Sequence, residues 1–476
     1  MAPSVGPSAN PGGQAPKRRL NLAGHRSIRW AVPLAFSVAG ALVAMTLTAV
    51  ASSTNASARS GVSLGHRNDG HDGDDDNAAA IEQGKHTFRF DTFGDQAFWG
   101  GILHLNLTIE GKKHGGIGPG LSPKTALALG LKVDVTRLPK SVRQGILDGK
   151  VNLNDPATTL ALLKLNAVVG VKGIFNRNGT LNTVGIECAL CHSTVDNSFA
   201  PGIGHRLDGW ANRDLNVGAI VGFAPNLQPI ASLLHVSVAT VHKVLNAWGP
   251  GKFDAELLLD GKGFQPNGRS AATLIPPAFG LAGVNLHTWT GWGSIPYWNA
   301  FVAVLEMHGQ GDFSDARLNN AKQFPIAAAN HFGEVRVAHD LVTPALPDLQ
   351  VYELSLRAPT PPKGSFNARM AALGKALFDG PAECSTCHVP PIFTDPGENL
   401  HSGKQIGIDS FEANRSPTHM YRTAPLRGLW THTKGGFYHD GRFPTLLAVV
   451  QHYNKVFHLG LTRAQENDLV QYLLSI

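Results

Sequence analysis

Every cysteine of this 476-residue chain lies in one of two copies of a pentapeptide, Cys188-Ala189-Leu190-Cys191-His192 and Cys384-Ser385-Thr386-Cys387-His388. Two thiols separated by two residues and followed at once by an imidazole form the attachment pattern of c-type haem. The thiols bond to the two vinyl groups of the porphyrin, and the histidine reaches the iron from one side. A CxxC pair alone also reads as a redox dithiol or half a zinc site. Zinc sites of this type place their two pairs roughly 15–20 residues apart, whereas nearly two hundred residues separate these. A dithiol site does not require the following histidine. Two covalently bound haem c groups are expected, and with them electron transfer or redox catalysis.

The N-terminus fits an exported protein. Lys17, Arg18, Arg19, Arg26 and Arg29 precede an uncharged apolar run from Trp30 to Ala51. Small-residue cleavage patterns follow at Ala49-Val50-Ala51 and Ala56-Ser57-Ala58. Residues 1–58 therefore read as a signal peptide. The run also reaches the length of about 20 residues that spans a bilayer, so an uncleaved membrane anchor is the alternative. Both readings export the remainder, because the positive end stays in the cytoplasm, and the expected location is the periplasm. The net charge of +6 draws five of its positive charges from this leader, which holds no acidic residue. Charge is thus no argument for a nucleic-acid partner, and none is expected.

Residues 59–80, rich in Asp, Gly and His, read as a flexible linker with little to bury. The roughly 395 residues that remain suit two or three domains. The expected organisation is an N-terminal extension over 81–180, a first haem domain with an insertion over 181–345, and a second haem domain over 346–476. No internal repeat is read apart from the two haem motifs. Ser122 and Pro123 open a helix that Gly130 stops. Asp155-Pro156 opens another, with Leu160, Leu163 and Val168 as its buried stripe. Phe88, Phe90, Phe93, Phe98 and Trp99 form an early aromatic cluster, expected to pack against the haem domains. Val238–Trp248 is bounded by Ser237 and by Gly249-Pro250-Gly251. The prolines at 359, 361 and 362 exclude helix. Met370, Leu373 and Leu377 recur at helical spacing before Cys384, and Thr462-x-x-Gln465 is a capping box, with Leu469, Leu473 and Leu474 on one face beyond it. The fold class expected is mainly α: two cytochrome c-like haem domains with long loops.

The second half carries further motifs in order: Tyr421-Arg422-Thr423-Ala424-Pro425-Leu426-Arg427-Gly428, Gly436-Phe437-Tyr438-His439-Asp440-Gly441, Thr445-Leu446, and Val449-Val450-Gln451-His452-Tyr453-Asn454. Over 365–476 this resembles the C-terminal haem domain of the bacterial di-haem cytochrome c peroxidase and MauG superfamily. The first half resembles it more loosely. Ile203-Gly204-His205 resembles a segment whose histidine ligates the first haem in a resting enzyme. Asn216 resembles an asparagine that binds calcium between the domains, joined there by carbonyls near Lys434–Gly436. Trp289-Thr290-Gly291 resembles a Trp-Asp-Gly segment between the haems. Glu306-Met307 resembles the pair carrying a distal acid–base carboxylate. The stretches 81–180 and 226–286 depart from the family pattern, and Asn299 stands where peroxidases have a distal glutamine.

The resemblance implies a division of labour. His192 is the proximal ligand of a reactive haem, and His388 that of an electron-carrying one. Glu306 moves a proton between the peroxide oxygens, a role open to a carboxylate within reach; otherwise it is a solvated helix residue beside His308. His205 reads equally as a reversible ligand and as a surface histidine. Trp289 reads as a relay between the irons or as packing, and His439 as a partner of a haem propionate. Fourteen residues beyond His439, where peroxidases of the family carry a methionine ligand, stands Tyr453. A tyrosine ligand resembles the MauG branch and lowers the iron potential relative to methionine; His452 and Met420 are its rivals.

The function expected is peroxide-dependent oxidoreduction at the first haem with electron relay through the second. An oxygenase of the rubber-oxygenase type, acting on an apolar substrate, and a non-catalytic electron carrier are the alternatives. The partners expected are hydrogen peroxide or oxygen and a small redox protein, with a homodimer as one assembly.

Overall fold

A computed structural model describes residues 72–395 and 399–476. The leader and the tether up to residue 71 lie outside the described residues. The elements used below are α1 (Asp72–Phe90), α2 (Leu105–Glu110), α3 (Pro123–Ala128), α4 (Pro156–Lys164), α5 (Ala189–His192), α6 (Val217–Gly222), α7 (Val238–Trp248), α8 (Ile295–Phe301), α9 (Leu346–Ser355), α10 (Ala368–Asp379), α11 (Leu446–Val456) and α12 (Arg463–Leu474). Every sheet among the described residues has two short strands. The longest is the antiparallel hairpin of β1 (Val171–Phe175) and β2 (Leu181–Ile186), which pairs Val171 with Ile186 and carries a bulge at Ile174/Phe175. The architecture is mainly α, as expected.

Helix starts follow the local chemistry. Ser122, Asp155 and Ser237 each accept a backbone N–H of the first turn of α3, α4 and α7, and Pro123 and Pro156 preset the first turns. Thr462 and Gln465 close a reciprocal capping box on α12. Each such cap stabilises its helix by about 1 kcal/mol.

The tertiary structure corrects the expected organisation. The tether was expected to run to residue 80, yet α1 begins at Asp72. Ala78, Ala79 and Ala80 are strong helix formers, and they lead into a buried face at Gly84, Thr87 and Phe88. This face packs on α9. The pairing crosses both expected boundaries, after 180 and after 345, because it joins the start of the supposed extension to the start of the supposed second haem domain.

The α1–α9 pair has a counterpart in α10–α12, so the chain contains an internal repeat that was not expected. Gly84-Lys85-x-x-Phe88 matches Gly374-Lys375-x-x-Phe378, and Asp348-Leu349-x-x-Tyr352-x-Leu354-Ser355 matches Asp468-Leu469-x-x-Tyr472-x-Leu474-Ser475. The contacts repeat as well. A Cβ on Gly84 would lie 2.0 Å from the Asp348 carbonyl oxygen, and one on Gly374 would lie 2.0 Å from that of Asp468. Glycine is what allows each helix pair to cross this closely. Phe88 meets Tyr352 edge-on at 5.5 Å, and Phe378 meets Tyr472 at 5.2 Å. Both phenylalanines are fully buried, each contributing roughly 1.5–3 kcal/mol. The N–H of Gly280 donates to the Leu356 carbonyl at 2.7 Å, and that of Gly428 to the Ile476 carbonyl at 2.9 Å.

The buried face of α10 is Ala371, Gly374 and Phe378. Met370, Leu373 and Leu377, which recur at helical spacing, do not form it, and Leu373 is exposed. Contact with α12 through Gly374 rotates the helix by one position, because the crossing point selects the smallest residue rather than the most apolar one.

Candidate functional site

The β1–β2 hairpin delivers the first pentapeptide, since β2 ends two residues before Cys188. The peptide is pinned on several sides. Glu187 N–H donates to Gly170 O, Gly209 N–H to His192 O, and Asn212 N–H to Cys191 O. A side chain at Gly170 would collide with the Leu190 backbone at 2.2 Å. The second pentapeptide forms a single turn, with the N–H of His388 donating to Cys384 O at 2.9 Å. It follows α10 as the first follows α1, although about a hundred residues intervene in the first case.

The groups fit haem attachment. All four cysteines are free thiols. Burial raises Cys188, raises Cys191 to about 12 and raises Cys384 to about 11, whereas a hydrogen bond with His401 lowers Cys387. Burial lowers both motif histidines to about 4, which keeps each imidazole neutral as a metal ligand requires. His388 Nδ1 lies 3.1 Å from the Phe393 carbonyl, so Nε2 is the nitrogen left for iron. The Pro276 carbonyl acts on His192 without reaching hydrogen-bond geometry at its buried Nδ1. Pro276 and Ala424, the carbonyls beside the two histidines, stand four residues before the matched glycines Gly280 and Gly428. Among the described residues no set of three or more His, Cys, Asp or Glu is arranged to hold a metal ion, which leaves the zinc reading without a site.

Trp289 lies in the seam between the two repeats. Its indole N–H donates to the Leu274 carbonyl at 3.0 Å, and its own carbonyl accepts from Arg422 N–H at 3.0 Å. Leu274 is two residues from Pro276, and Arg422 is two residues from Ala424. The half-buried Arg422 side chain also donates to the carbonyls of Thr288 and Leu286. His439 joins this seam, with its carbonyl accepting from Leu274 N–H at 2.6 Å and its ring stacked on Tyr421. Burial lowers His439 to about 4.

Glu306 ends a five-residue π-helical turn that continues α8. The Trp99 indole fixes that turn from outside by donating to the Met307 carbonyl. Glu306 is 8% exposed, and its Oε1 is buried with no hydrogen-bond partner. Burial raises its pKa well above the ordinary carboxylate value, and the charges of Glu256 and Asp254 add to this. The solvated reading of Glu306 is thereby overturned.

Tyr453, on α11, stacks on Phe457 and lies near Tyr438. Burial raises its phenol against an opposing hydrogen bond with Tyr438, and the Cys387 and Cys384 thiols add to the rise. Of its rivals, His452 has its Nε2 2.7 Å from the Ile406 carbonyl. His205 takes the surface alternative in this conformation. Its side chain is 63% exposed, and its Nδ1 lies 3.1 Å from Asp196 Oδ2. Asn216 caps α6, its side-chain oxygen accepting from Ala219 N–H at 3.1 Å. Asp214, two residues before it, is neutralised by Lys132 and Lys434. Calcium takes six to eight oxygen ligands, and these side chains do not offer such a set, so no calcium role is derived.

Two features escaped the sequence reading. Arg415 is fully buried and pairs with Asp254 at 2.8 Å and Asp260 at 2.9 Å, with Glu412 3.7 Å away. It ties the stretch 226–286 to the second repeat. Glu353 on α9 is buried and accepts a hydrogen bond from Asn299. Comparison of the two Asp-Leu-x-x-Tyr segments would have flagged it, because Leu473 stands at the matching position. No sequence signal marks Arg415.

No family model matches the chain. The methylamine utilization protein MauG of Methylorubrum extorquens is 30% identical over 254 residues, which cover 50% of this chain and 68% of that protein. This chain belongs to the MauG family. Family membership together with two haem-attachment pentapeptides makes it a haem oxidoreductase, at a distance of 30% identity from that relative. A solved structure of Kuenenia stuttgartiensis hydrazine synthase under xenon pressure overlaps 47% of this chain and 86% of its own, at 14% identity. Its TM-score of 0.26 is below that of a shared fold.

Proposed function

We propose that this MauG-family chain is a di-haem oxidoreductase that oxidises its substrate with peroxide at the haem of the first motif and passes electrons through the haem of the second. The observation that carries this reading is the Glu306 carboxyl, buried in the first half with one oxygen that no protein group satisfies. When bound, the two haems supply one iron that admits the oxidant and one that exchanges electrons with it.

Glu306 is held protonated by its surroundings. It donates this proton to the departing peroxide oxygen and takes its replacement from the oxygen that stays, a transfer of one proton between two oxygens. His192 and His388 would each offer an imidazole nitrogen to a bound haem iron, and Tyr453 would offer its phenol to the second. A chain of contacts from Pro276 through Leu274, Trp289 and Arg422 to Ala424 joins the two histidine environments, and the relay is assigned to it. A small redox protein on the exported side is the proposed electron partner. Export rests on residues 1–58, outside the described residues; among the described residues no helix is long and apolar enough to cross a membrane.

Electron paramagnetic resonance of the oxidised protein tests the assignment. One high-spin and one low-spin ferric signal are expected, with cyanide changing only the high-spin one and peroxide changing that one as well as drawing on the second haem. Two low-spin signals that ignore both additions would leave an electron carrier instead.

A further inference from the structure

The expected extension, the start of the first haem domain and α6 together line a cavity of about 240 Å³ that is partly open to solvent. Its walls come from α2, α3, α4, β2, the first haem pentapeptide and α6. Leu105, Ala126, Leu162, Val184, Leu190 and Phe223 mark its extent. The residues around it belong largely to the main hydrophobic core, yet they leave this space open.

The polar side chains on the wall are all committed elsewhere. Thr159 Oγ1 donates to the Leu121 carbonyl at 2.6 Å, and Thr108 Oγ1 to the Phe223 carbonyl at 3.1 Å. Thr125 pairs with Ser122, and Lys132 with Asp214. The cavity therefore offers an occupant almost only carbon contacts. A polar molecule would lose its water without compensation, and water itself needs two to four polar partners to stay. A void of this size in a close-packed core is destabilising, and an apolar occupant removes that cost. An apolar cavity of about 150 Å³ holds benzene; by proportion this one holds a molecule of about ten carbons.

We propose that this cavity is a binding site for an uncharged, hydrocarbon-like molecule of that size. Phe223, 42% exposed, stands at its solvent side, and Leu190, which lies between Cys188 and Cys191 in the chain, lines its inner wall. The site is independent of the reaction assigned to Glu306.

Naphthalene is the probe. Calorimetry and thermal melting of the haem-loaded full chain read its binding. Saturable binding of one equivalent is expected, with a negative heat-capacity change and a melting temperature that climbs with naphthalene concentration. Ala126→Phe puts a six-carbon ring into a space for about ten carbons, which leaves too little room for naphthalene, and it should abolish both effects while leaving the haem absorption bands in place. Should that variant not fold, Val184→Leu reduces the volume less and should weaken binding at least tenfold. No saturable binding to the wild type, or binding that persists unchanged in the filled variant, overturns the proposal. Neither result touches the spin-state test, so the two assignments fail separately.

Discussion

Asn299 on α8 donates a hydrogen bond to Glu353 Oε2 on α9 at 2.9 Å, inside the first repeat. Glu353 stands where the second repeat has Leu473, so one half carries a buried acid at a position that is apolar in the other. Burial raises Glu353 from 4.5 to about 7, against a smaller opposing effect of the Asn299 hydrogen bond. The folded state then keeps a proton that the unfolded state releases. Its stabilising effect is complete below pH 4.5 and is lost as pH rises to 7, by about 3 kcal/mol at 1.36 kcal/mol per pKa unit. Glu353→Gln should therefore gain on the wild type between pH 5 and pH 8, as read by urea unfolding at the two values. Parallel pH dependences of the two proteins would dismiss the shift.

Gly374 touches the Asp468 carbonyl with no room for a methyl group. Gly374→Ala should cost about 2–3 kcal/mol, the usual scale of overpacking a tight contact. Gly84→Ala should cost a similar amount through Asp348. Thermal melting checks both, and a loss under 0.5 kcal/mol, within the ordinary range of surface changes, would mean that the helices separate freely.

Glu306→Gln keeps the shape of the side chain and removes its acid. The rate of reaction with peroxide should fall by about 10²–10⁴, the usual contribution of a positioned acid–base group. Both haem spectra should be unchanged. Stopped-flow mixing with peroxide measures this, and a wild-type rate would take Glu306 out of the chemistry.

On α11, Tyr453 lies beside Tyr438 and Phe457. Tyr453→Phe removes the phenol oxygen and keeps the ring that stacks on Phe457. The low-spin signal of the second haem should shift or turn high-spin, and its midpoint potential should rise, because an anionic oxygen ligand stabilises ferric iron. An unchanged resonance spectrum would assign the sixth position to another group.

Much of the local structure was legible. Ser122, Asp155, Ser237 and Thr462 announce helix starts through their own hydroxyl or carboxylate oxygens, and the helices start there. The hairpin that delivers Cys188 had a signal that went unread: Asn178-Gly179 at its turn, with Gly179 at φ 87°. The repeat was legible too, but only to a search that allowed for more than a hundred intervening residues.

By itself the sequence determined the chemistry that needs only neighbours: thioether attachment asks for two thiols and an imidazole within five residues, and a capped helix start asks for four. The tertiary structure decided what depends on approach across the chain. It closed α1 on α9 through Gly84 and Asp348, buried Glu306 with an unsatisfied oxygen, moved His205 to the surface and left an apolar cavity beside Leu190. Burial and close contact are properties of two surfaces together, and residue order describes each surface alone.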